Sequence, residues 1–256
     1  MHGKTDAAAF TAAAFFCGDA AVPNRVAIDN VGHASLRVVT RHGAEFGDAV
    51  NQLLVVPTEF EQIQREYPIF FRKDQDGSFQ SVALVGFDRG ENLILDGHQW
   101  NAHYVPAVQR RGPFFIAVRP SDGEPIIHVD LDDPRVGEGE GEPLFKPHGG
   151  NAPYLDHVAD ALLTIHEGLG AAPAMFALFE ELGLIQPIEL NVDLGDGLTY
   201  RIPNFFTVGA EQFAALTGEA LDRLNRSGFL PAAIFVRSSL GNIERLIELK
   251  NARRSA

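Results

Sequence analysis

Apolar residues along this chain fall into short runs that are separated by turn residues. The Val- and Leu-rich run at residues 50–56 predicts a buried strand. Further apolar runs follow at residues 69–72, 79–87 and 91–95. Asp76 and Gly77 lie between the first two of these, and an Asp-Gly pair supplies the positive φ that a hairpin turn needs. The spacing therefore predicts that the runs after residue 68 form an antiparallel meander.

A short helix is predicted between the buried strand and the meander. Thr58 and Glu61 have the spacing of a capping box, which predicts that a helix begins there and ends before Pro68. After the meander, the apolar runs at residues 114–118 and 125–131 flank a turn that contains Asp-Gly. These two runs predict another antiparallel pair.

The central stretch, residues 91–118, concentrates unusual residues, including the only tryptophan of the chain. Four of its apolar residues are spaced to share one face of a helix: Trp100, Tyr104, Val105 and Val108. Pro106 lies inside that span, so we expect the helix to be broken there or to begin near residue 105. We expect this helix to pack on the sheet.

The chain becomes mostly helical from residue 151 onward. A second hairpin, residues 188–194 and 198–208, is predicted around another Asp-Gly pair. The wholly apolar run at residues 229–236 fits either a strand or a buried helix. Amphipathic patterns and their flanking Gly and Pro residues predict helices at residues 154–167, 173–182, 209–216, 218–226 and 240–253.

These elements together predict an α+β fold. It has an antiparallel sheet, made of a meander plus hairpins, with packed helices, and a C-terminal half that is mainly helical with a second hairpin. We predict a flexible tail at residues 1–23 and a single domain at residues 24–253. Within the domain we expect a sheet-rich half (24–131), an acidic, Gly-rich loop (132–150) and a helix-rich half (151–253) that share one core.

Composition narrows the class of protein. A net charge of −13 disfavours nonspecific binding to nucleic acid or to an anionic membrane. The single cysteine, Cys17, forms no internal disulfide, which fits a reducing compartment. The apolar runs, such as residues 52–56, are too short to span a bilayer. We therefore expect a cytoplasmic protein, with a periplasmic or surface-associated location as the alternative, that binds a protein partner or a small ligand and does not insert into a membrane. The oligomeric state and any processing of the N-terminus stay open.

Several segments, in the same order, resemble the SapC family of bacterial proteins, and the resemblance covers roughly residues 24–253. Gly112 is a departure, because family members often have Tyr before this Pro-Phe step. The family name refers to a bacterial surface layer, and members are often encoded beside TonB-dependent receptors and flavin-type halogenase-like genes. The resemblance implies no catalytic residues. The matching segments are residues 50–60, 66–71, 82–86, 91–93, 104–107, 110–114, 141–145, 205–224 and 239–243.

Two histidine patterns are candidates for a metal site. His98 and His103 lie five residues apart in the central stretch. His128 and Asp130 share one face of a predicted strand, and with a later histidine such as His148 they have the residue types of a two-His-one-carboxylate iron site. His157 and His166 are alternatives for the third ligand. Ordinary solvated histidines and an acidic strand end are the favoured explanations of the two patterns, so we predict no cofactor and keep iron as the alternative.

A ligand pocket is the other candidate site in the central stretch. Consecutive helical residues point about 100° apart, so we expect the adjacent Arg110 and Arg111 to play different roles. Salt bridges to carboxylates are the favoured interpretation, and the alternative is that one of the two faces an anionic ligand. The aromatic residues nearby fit either a pocket wall or the core. The pocket candidates are Trp100, His103, Tyr104, Arg110, Arg111 and Phe114.

Two functions follow from these patterns. The favoured one is a SapC-like, non-enzymatic binding or accessory protein that supports surface-associated or TonB-dependent nutrient-uptake systems. The alternative is a metal-dependent oxygenase of the non-haem iron type, which requires His128, Asp130 and a third ligand to meet at one ion.

Overall fold

The structure, a computed structural model, describes residues 24–119, 123–195 and 197–255. The predicted tail, residues 1–23, lies outside the described residues. Part of two predicted turns, Ser121, Asp122 and Asp196, lies outside them as well.

The strands are short except in the last hairpin. They are β1 (Arg25–Ala27), β2 (Arg37–Val38), β3 (Gln52–Val55), β4 (Ile69–Lys73), β5 (Phe79–Leu84), β6 (Leu95–Asp96), β7 (Gln99–Trp100), β8 (Phe114–Val118), β9 (Pro125–Asp130), β10 (Val136–Gly137), β11 (Glu142–Pro143), β12 (Ile185–Asp193) and β13 (Thr199–Val208).

The helices lie mainly in the second half of the chain. Two single 3₁₀ turns, Ala44–Phe46 and Pro57–Glu59, precede them. The α-helices are α1 (Phe60–Ile63), α2 (Ala107–Arg110), α3 (Pro153–Glu181), α4 (Ala210–Ala214), α5 (Gly218–Arg226), α6 (Leu230–Ser239) and α7 (Asn242–Ser255). The run at residues 229–236, left open between strand and helix, is therefore part of a helix.

The predicted α+β class is confirmed. The named strands pair antiparallel, and the predicted hairpins β4–β5, β8–β9 and β12–β13 are all present. The two hairpins β4–β5 and β12–β13 lie in one five-stranded sheet of order β12-β13-β4-β5-β3. Phe206 of β13 pairs with Phe71 of β4, which joins the hairpins.

The prediction of a third strand in the meander, at residues 91–95, is wrong. Residues 91–94 do not join the five-stranded sheet, and β6 pairs instead with β7 in a separate two-stranded ribbon. Asn92 gives the physical reason. Its Oδ1 accepts hydrogen bonds from the N–H groups of Ile94 (3.0 Å) and Leu95 (3.2 Å), while its Nδ2 donates to the carbonyl of Asp48 (2.9 Å). A buried Asn that bonds its own following backbone stabilises a turn in place of a strand.

The predicted capping box at Thr58 and Glu61 is also wrong in its residues. The helical segment begins earlier, with Pro57 at its first position, and Glu59 Oε1 accepts the N–H of Val56 at 3.1 Å. Glu61 instead accepts a hydrogen bond from Arg65 Nη2 at 3.0 Å on the surface. Proline is preorganised for a first helical position because its φ is fixed and its missing N–H would have no partner there.

The predicted helix through Trp100, Tyr104 and Val108 is reduced to its last turn. Trp100 lies in strand β7, and α2 begins only after Pro106. Residues 132–150 are not one continuous loop either, because β10 and β11 both pair with β2.

The two helices predicted at residues 154–167 and 173–182 are one helix, α3, that continues through Pro173. Pro removes one backbone donor and costs about 3 kcal/mol inside a helix. Beyond it, α3 buries Met175, Phe176 and Phe179, and each such side chain contributes about 1.5–3 kcal/mol. This burial offsets the proline.

Helix α3 is long and apolar enough to cross a membrane by length and composition, with a mean hydropathy of 1.4 in its most apolar window, of which 28% is buried. Core helices of soluble proteins meet the same criteria. Helix α3 corrects the expectation that every apolar segment is too short to span a bilayer, whereas the absence of membrane insertion stays a prediction.

The chain divides into two compact units, and each has its own buried cluster. The smaller unit comprises the described parts of residues 1–40 and 109–170 and holds the sheets β1-β9-β8 and β10-β2-β11. Its core includes Phe114, Val129 and Leu155. The larger unit, residues 41–108 and 171–255, holds the five-stranded sheet, and its core includes Tyr67 and Phe70. The single-domain limits at residues 24–253 stay a prediction.

Candidate functional site

Trp100 is held at its polar end by a buried tyrosine. The Nε1–H of Trp100 donates to Tyr67 Oη at 2.7 Å, and the Tyr67 hydroxyl donates to the carbonyl of Tyr104 at 2.5 Å. Burial raises the pKa of Tyr67, so the hydroxyl stays protonated and keeps both hydrogen bonds. The polar atom of the indole is thus satisfied inside the protein, and only its aromatic surface is left for other contacts.

Glu66, which precedes Tyr67, fixes the backbone that follows Trp100. Its carboxylate accepts hydrogen bonds from the N–H groups of His103 and Tyr104, both at 3.0 Å. It also lies 3.1 Å from His103 Nδ1 and 3.5 Å from Arg245 Nη1. Burial would raise the pKa of Glu66, but the two backbone hydrogen bonds, the His103 ring and the charge of Arg245 outweigh it and lower the pKa.

Glu59 fixes the next part of the same backbone. Its side chain is 2% exposed. Besides the capping bond to Val56, its Oε2 accepts hydrogen bonds from the Tyr104 hydroxyl (2.9 Å) and the Ala107 N–H (2.8 Å). These bonds explain why residues 103–106 are not helical, since their conformation is set by two carboxylates on either side of α1 rather than by helical hydrogen bonds.

An open cavity of about 250 Å³ lies beside this network, and Trp100 forms part of its wall. Arg245, from helix α7, donates to the carbonyl of Asn101 at 2.7 Å and so ties the C-terminal helix to the same site. The ring of His42 lies 4.9 Å from the Trp100 ring and is itself paired with Asp48 at 3.2 Å. We call this cavity the Trp100 pocket; its lining residues are Glu66, Trp100, Asn101, Ala102, His103 and Arg245.

Two of the predicted pocket residues, Trp100 and His103, line the Trp100 pocket. Tyr104 does not line it but donates hydrogen bonds to Glu66 and Glu59 next to it. The side chain of His103 is fully exposed. The other three candidates belong to the smaller unit. That all six residues contact one ligand stays a prediction.

Within the smaller unit, the adjacent arginines have different partners, as the sequence predicts. Arg110 Nη1 pairs with Asp160 Oδ2 at 3.3 Å. The Arg111 guanidinium stacks on the Phe115 ring, 4.4 Å from its centre, and donates to the carbonyl of Phe114 at 2.8 Å. Phe114 is fully buried and therefore packs in the core.

The metal candidates make local contacts. His98 Nδ1 lies 3.0 Å from the carbonyl of His42 and 3.2 Å from Arg41 Nη1. His128 Nδ1 lies 3.4 Å from the carbonyl of Ile126, Asp130 Oδ1 accepts the N–H of Asp132 at 3.1 Å, and His148 is exposed in a turn. Across residues 24–119, 123–195 and 197–255, no three His, Cys, Asp or Glu side chains group so as to hold a metal ion.

Sequence reasoning missed Glu59, Glu66, Tyr67 and Arg245, which build the pocket. The first three lie in segments that resemble the family, but their roles depend on residues at least 33 positions away. Glu59 has the polar neighbours Thr58, Glu61 and Gln62, so the local sequence carries no signal of its burial.

The comparisons with known proteins agree with the resemblance seen in the sequence. No curated protein and no solved structure shows a significant match to this chain. The family model of SapC matches residues 28–246, which is most of the chain and includes every residue of the Trp100 pocket. The chain therefore belongs to the SapC family.

Proposed function

We propose that this SapC family member is a non-enzymatic binding protein that supports a surface-associated or TonB-dependent nutrient-uptake system, and that the Trp100 pocket is where it contacts a partner protein. The observation that carries the proposal is that the polar atom of Trp100 is bonded inside the protein while its ring lines the pocket. Its Nε1–H is already bonded to Tyr67, so the pocket offers an aromatic surface rather than an unsatisfied donor. Tryptophan surfaces of this kind are enriched among residues that dominate binding energy at protein interfaces.

The size of the pocket favours a partner side chain over a cofactor. Pockets for drug-sized ligands and cofactors have volumes of about 300–1,000 Å³. The Trp100 pocket, at about 250 Å³, lies below that range and is open. A single aromatic or aliphatic side chain presented by another protein fits such a shallow site.

The electrostatics of the pocket favour binding over acid–base chemistry. A general base works best when its pKa lies near the working pH. The pKa of Glu66 is shifted the other way, below its usual range, and its carboxylate already accepts two backbone hydrogen bonds. Glu66 therefore holds the backbone of the pocket wall in place and is not set up as a general base.

The link to uptake or surface systems comes from the gene neighbourhoods that the family resemblance implies. It makes the partner a TonB-dependent receptor, a surface-layer protein or a halogenase-like protein.

Affinity capture from the native cell with wild type, Trp100→Ala and Leu221→Ala tests the proposal. Leu221 is 39% exposed on helix α5 of the same unit and provides a matched loss of exposed apolar surface. Wild type and Leu221→Ala should recover a protein of one of the three named classes, and Trp100→Ala should not. Recovery of none of them by wild type, or equal recovery by Trp100→Ala, would contradict the proposal.

A further inference from the structure

A second candidate site lies in the smaller unit, on one face of the sheet β1-β9-β8. Arg25 pairs with Asp130, and Phe115 pairs with His128 across the strands. Directly paired residues and residues two apart share a face of a sheet, so these four side chains lie on the same face. The opposite face carries Phe114 and Val129, which belong to the core, so the face with Phe115 is not the core face.

Two guanidinium groups contact the single ring of Phe115 on this face. The Cζ of Arg25 lies 3.9 Å from the ring centre, and the Cζ of Arg111 lies 4.4 Å from it. Arg111 Nη1 donates to the carbonyl of Phe114, which orients the guanidinium plane. In the part of the chain that the structure describes, neither arginine forms an ion pair with a carboxylate.

The nearest acidic groups already have partners. Asp133 accepts two hydrogen bonds from the guanidinium of Arg135, at 2.6 and 2.8 Å. Asp130 accepts the backbone N–H of Asp132. Burial, and then the charges of Arg135 and Arg25, lower the pKa of Arg111 to about 10, against the opposing effect of Asp133. Among the described residues, Arg111 is thus a partly buried cation that forms no ion pair and lies beside other cations, in a protein whose net charge is −13.

We propose that Arg25 and Arg111 bind a small oxyanion, a carboxylate or a phosphate, with Phe115 as the platform that holds the two guanidinium groups. A planar guanidinium presents two parallel N–H donors that match two oxygens of such an anion. The anion would be the ion-pair partner of Arg111. Chloride has no pair of oxygens and does not match this geometry.

Thermal unfolding of the full chain in chloride, acetate or inorganic phosphate, at equal ionic strength, tests the proposal. A ligand that binds only the native state stabilises it by RT ln(1 + L/Kd), where L is the free ligand concentration, so the Tm rises as the ligand concentration exceeds its Kd. We expect acetate or phosphate, and not chloride, to raise the Tm of wild type, and the one that does so identifies the anion class. Arg111→Met should weaken the apparent affinity by about 10-fold to 100-fold, the usual value of a charge-assisted pair. Arg65→Met, which removes an exposed arginine paired with Glu61, should retain the wild-type response.

An equal response to all three anions, or no response, would overturn the proposal, because the effect would be general ionic strength or absent. The same holds for an unchanged response in Arg111→Met. If Arg111→Met does not fold, Arg25→Met replaces it, because Arg25 is exposed. Full retention of the anion response in Arg25→Met would then overturn the shared site.

Discussion

Two sites of this protein each combine arginine with an aromatic ring, and they differ in whether a carboxylate balances the arginine charge. At the Trp100 pocket, Arg245 lies beside Glu66, and every titratable lining residue has a partner within the unit. On the face of the sheet β1-β9-β8 that carries Phe115, both Arg25 and Arg111 contact the Phe115 ring and neither forms an ion pair with a carboxylate among the described residues. The charges at the first site are thus balanced within the fold, whereas at the second site the two arginines have no ion-pair partner among the described residues, and we propose that an anion supplies it.

The difference between the two sites depends on Glu59 and Glu66, which supply the negative charge at the Trp100 pocket. Glu59 and Glu66 together accept backbone or hydroxyl hydrogen bonds from three residues of the 103–107 segment. No equivalent acid lies in the chain around Arg111, where residues 109–118 contain no Asp or Glu. The pocket is therefore neutralised by contacts between residues far apart in sequence, such as Glu66 with His103 and Arg245.

The largest expected effect is the loss of the buried carboxylate of Glu59. Glu59→Ala leaves the Val56 and Ala107 N–H groups and the Tyr104 hydroxyl without their acceptor. Each unsatisfied buried donor costs about 1–3 kcal/mol, so we expect the free energy of unfolding to fall by about 3 kcal/mol or more. Urea denaturation of Glu59→Ala measures it. Glu61→Ala, an exposed neighbour, should lose no more than about 1 kcal/mol. Equal losses in the two variants would show that Glu59 does not organise the site.

A smaller effect is expected from Tyr67→Phe, which removes the hydroxyl between Trp100 and Tyr104. Two hydrogen bonds are lost, so the free energy of unfolding should fall by about 2 kcal/mol. Because Trp100 is the only tryptophan, its emission reports this site alone, and it should shift in Tyr67→Phe. Tyr200→Phe, which removes an exposed hydroxyl bond to Asp88, should leave the emission unchanged. An unshifted emission in Tyr67→Phe would contradict the indole anchoring.

The pH dependence of stability tests whether the Glu66 carboxylate stabilises the Trp100 pocket as an anion. The folded pKa of Glu66 is below its unfolded value, so its contribution is fully present above the unfolded pKa, near pH 4.5, and is lost as pH falls through the folded pKa. Glu66→Gln should therefore flatten the decline in stability below about pH 4.5. Thermal unfolding between pH 3 and 7 measures this. Glu61→Gln removes the same charge from an exposed position and controls for net charge. An identical acidic decline in wild type and Glu66→Gln would rule out the carboxylate as a stabilising anion.

The smallest expected effect concerns metal. The described residues offer no three-ligand group, so we expect sub-stoichiometric metal in untagged protein and no change in metal content in His128→Ala. Elemental analysis of both proteins measures it. One metal ion per chain that is lost in His128→Ala would instead support the oxygenase alternative, with a metal centre at His128.

Sequence patterns predict the fold class and the hairpins well because these depend on local signals. Alternation and Asp-Gly turns identify β4–β5 and β12–β13, and the last helix follows from its amphipathic pattern. The order of strands in the five-stranded sheet does not follow from local signals, because it depends on the pairing of Phe206 with Phe71. The side chain of Asn92 replaces a strand by a turn through a hydrogen bond to Asp48, 44 residues away, which periodicity does not reveal.

The candidate site is predicted only in part for the same reason. Trp100 and His103 stand out by residue type, and both line the pocket. Arg245 reaches it from helix α7, 144 residues from its partner Asn101. The different roles of Arg110 and Arg111 follow from their adjacency, but the Phe115 platform depends on the strand register.

The claim that the Trp100 pocket contacts a partner protein is tested most directly by photo-cross-linking in the native cell. The side chain of His103 is fully exposed at the pocket rim, so benzoylphenylalanine at position 103 places the reactive group there without disturbing the core. Position 221, exposed on α5, is the control. We expect a discrete cross-link at position 103 to a TonB-dependent receptor, a surface-layer protein or a halogenase-like protein, and none at position 221. No cross-link at position 103, or the same product from both positions, would contradict it.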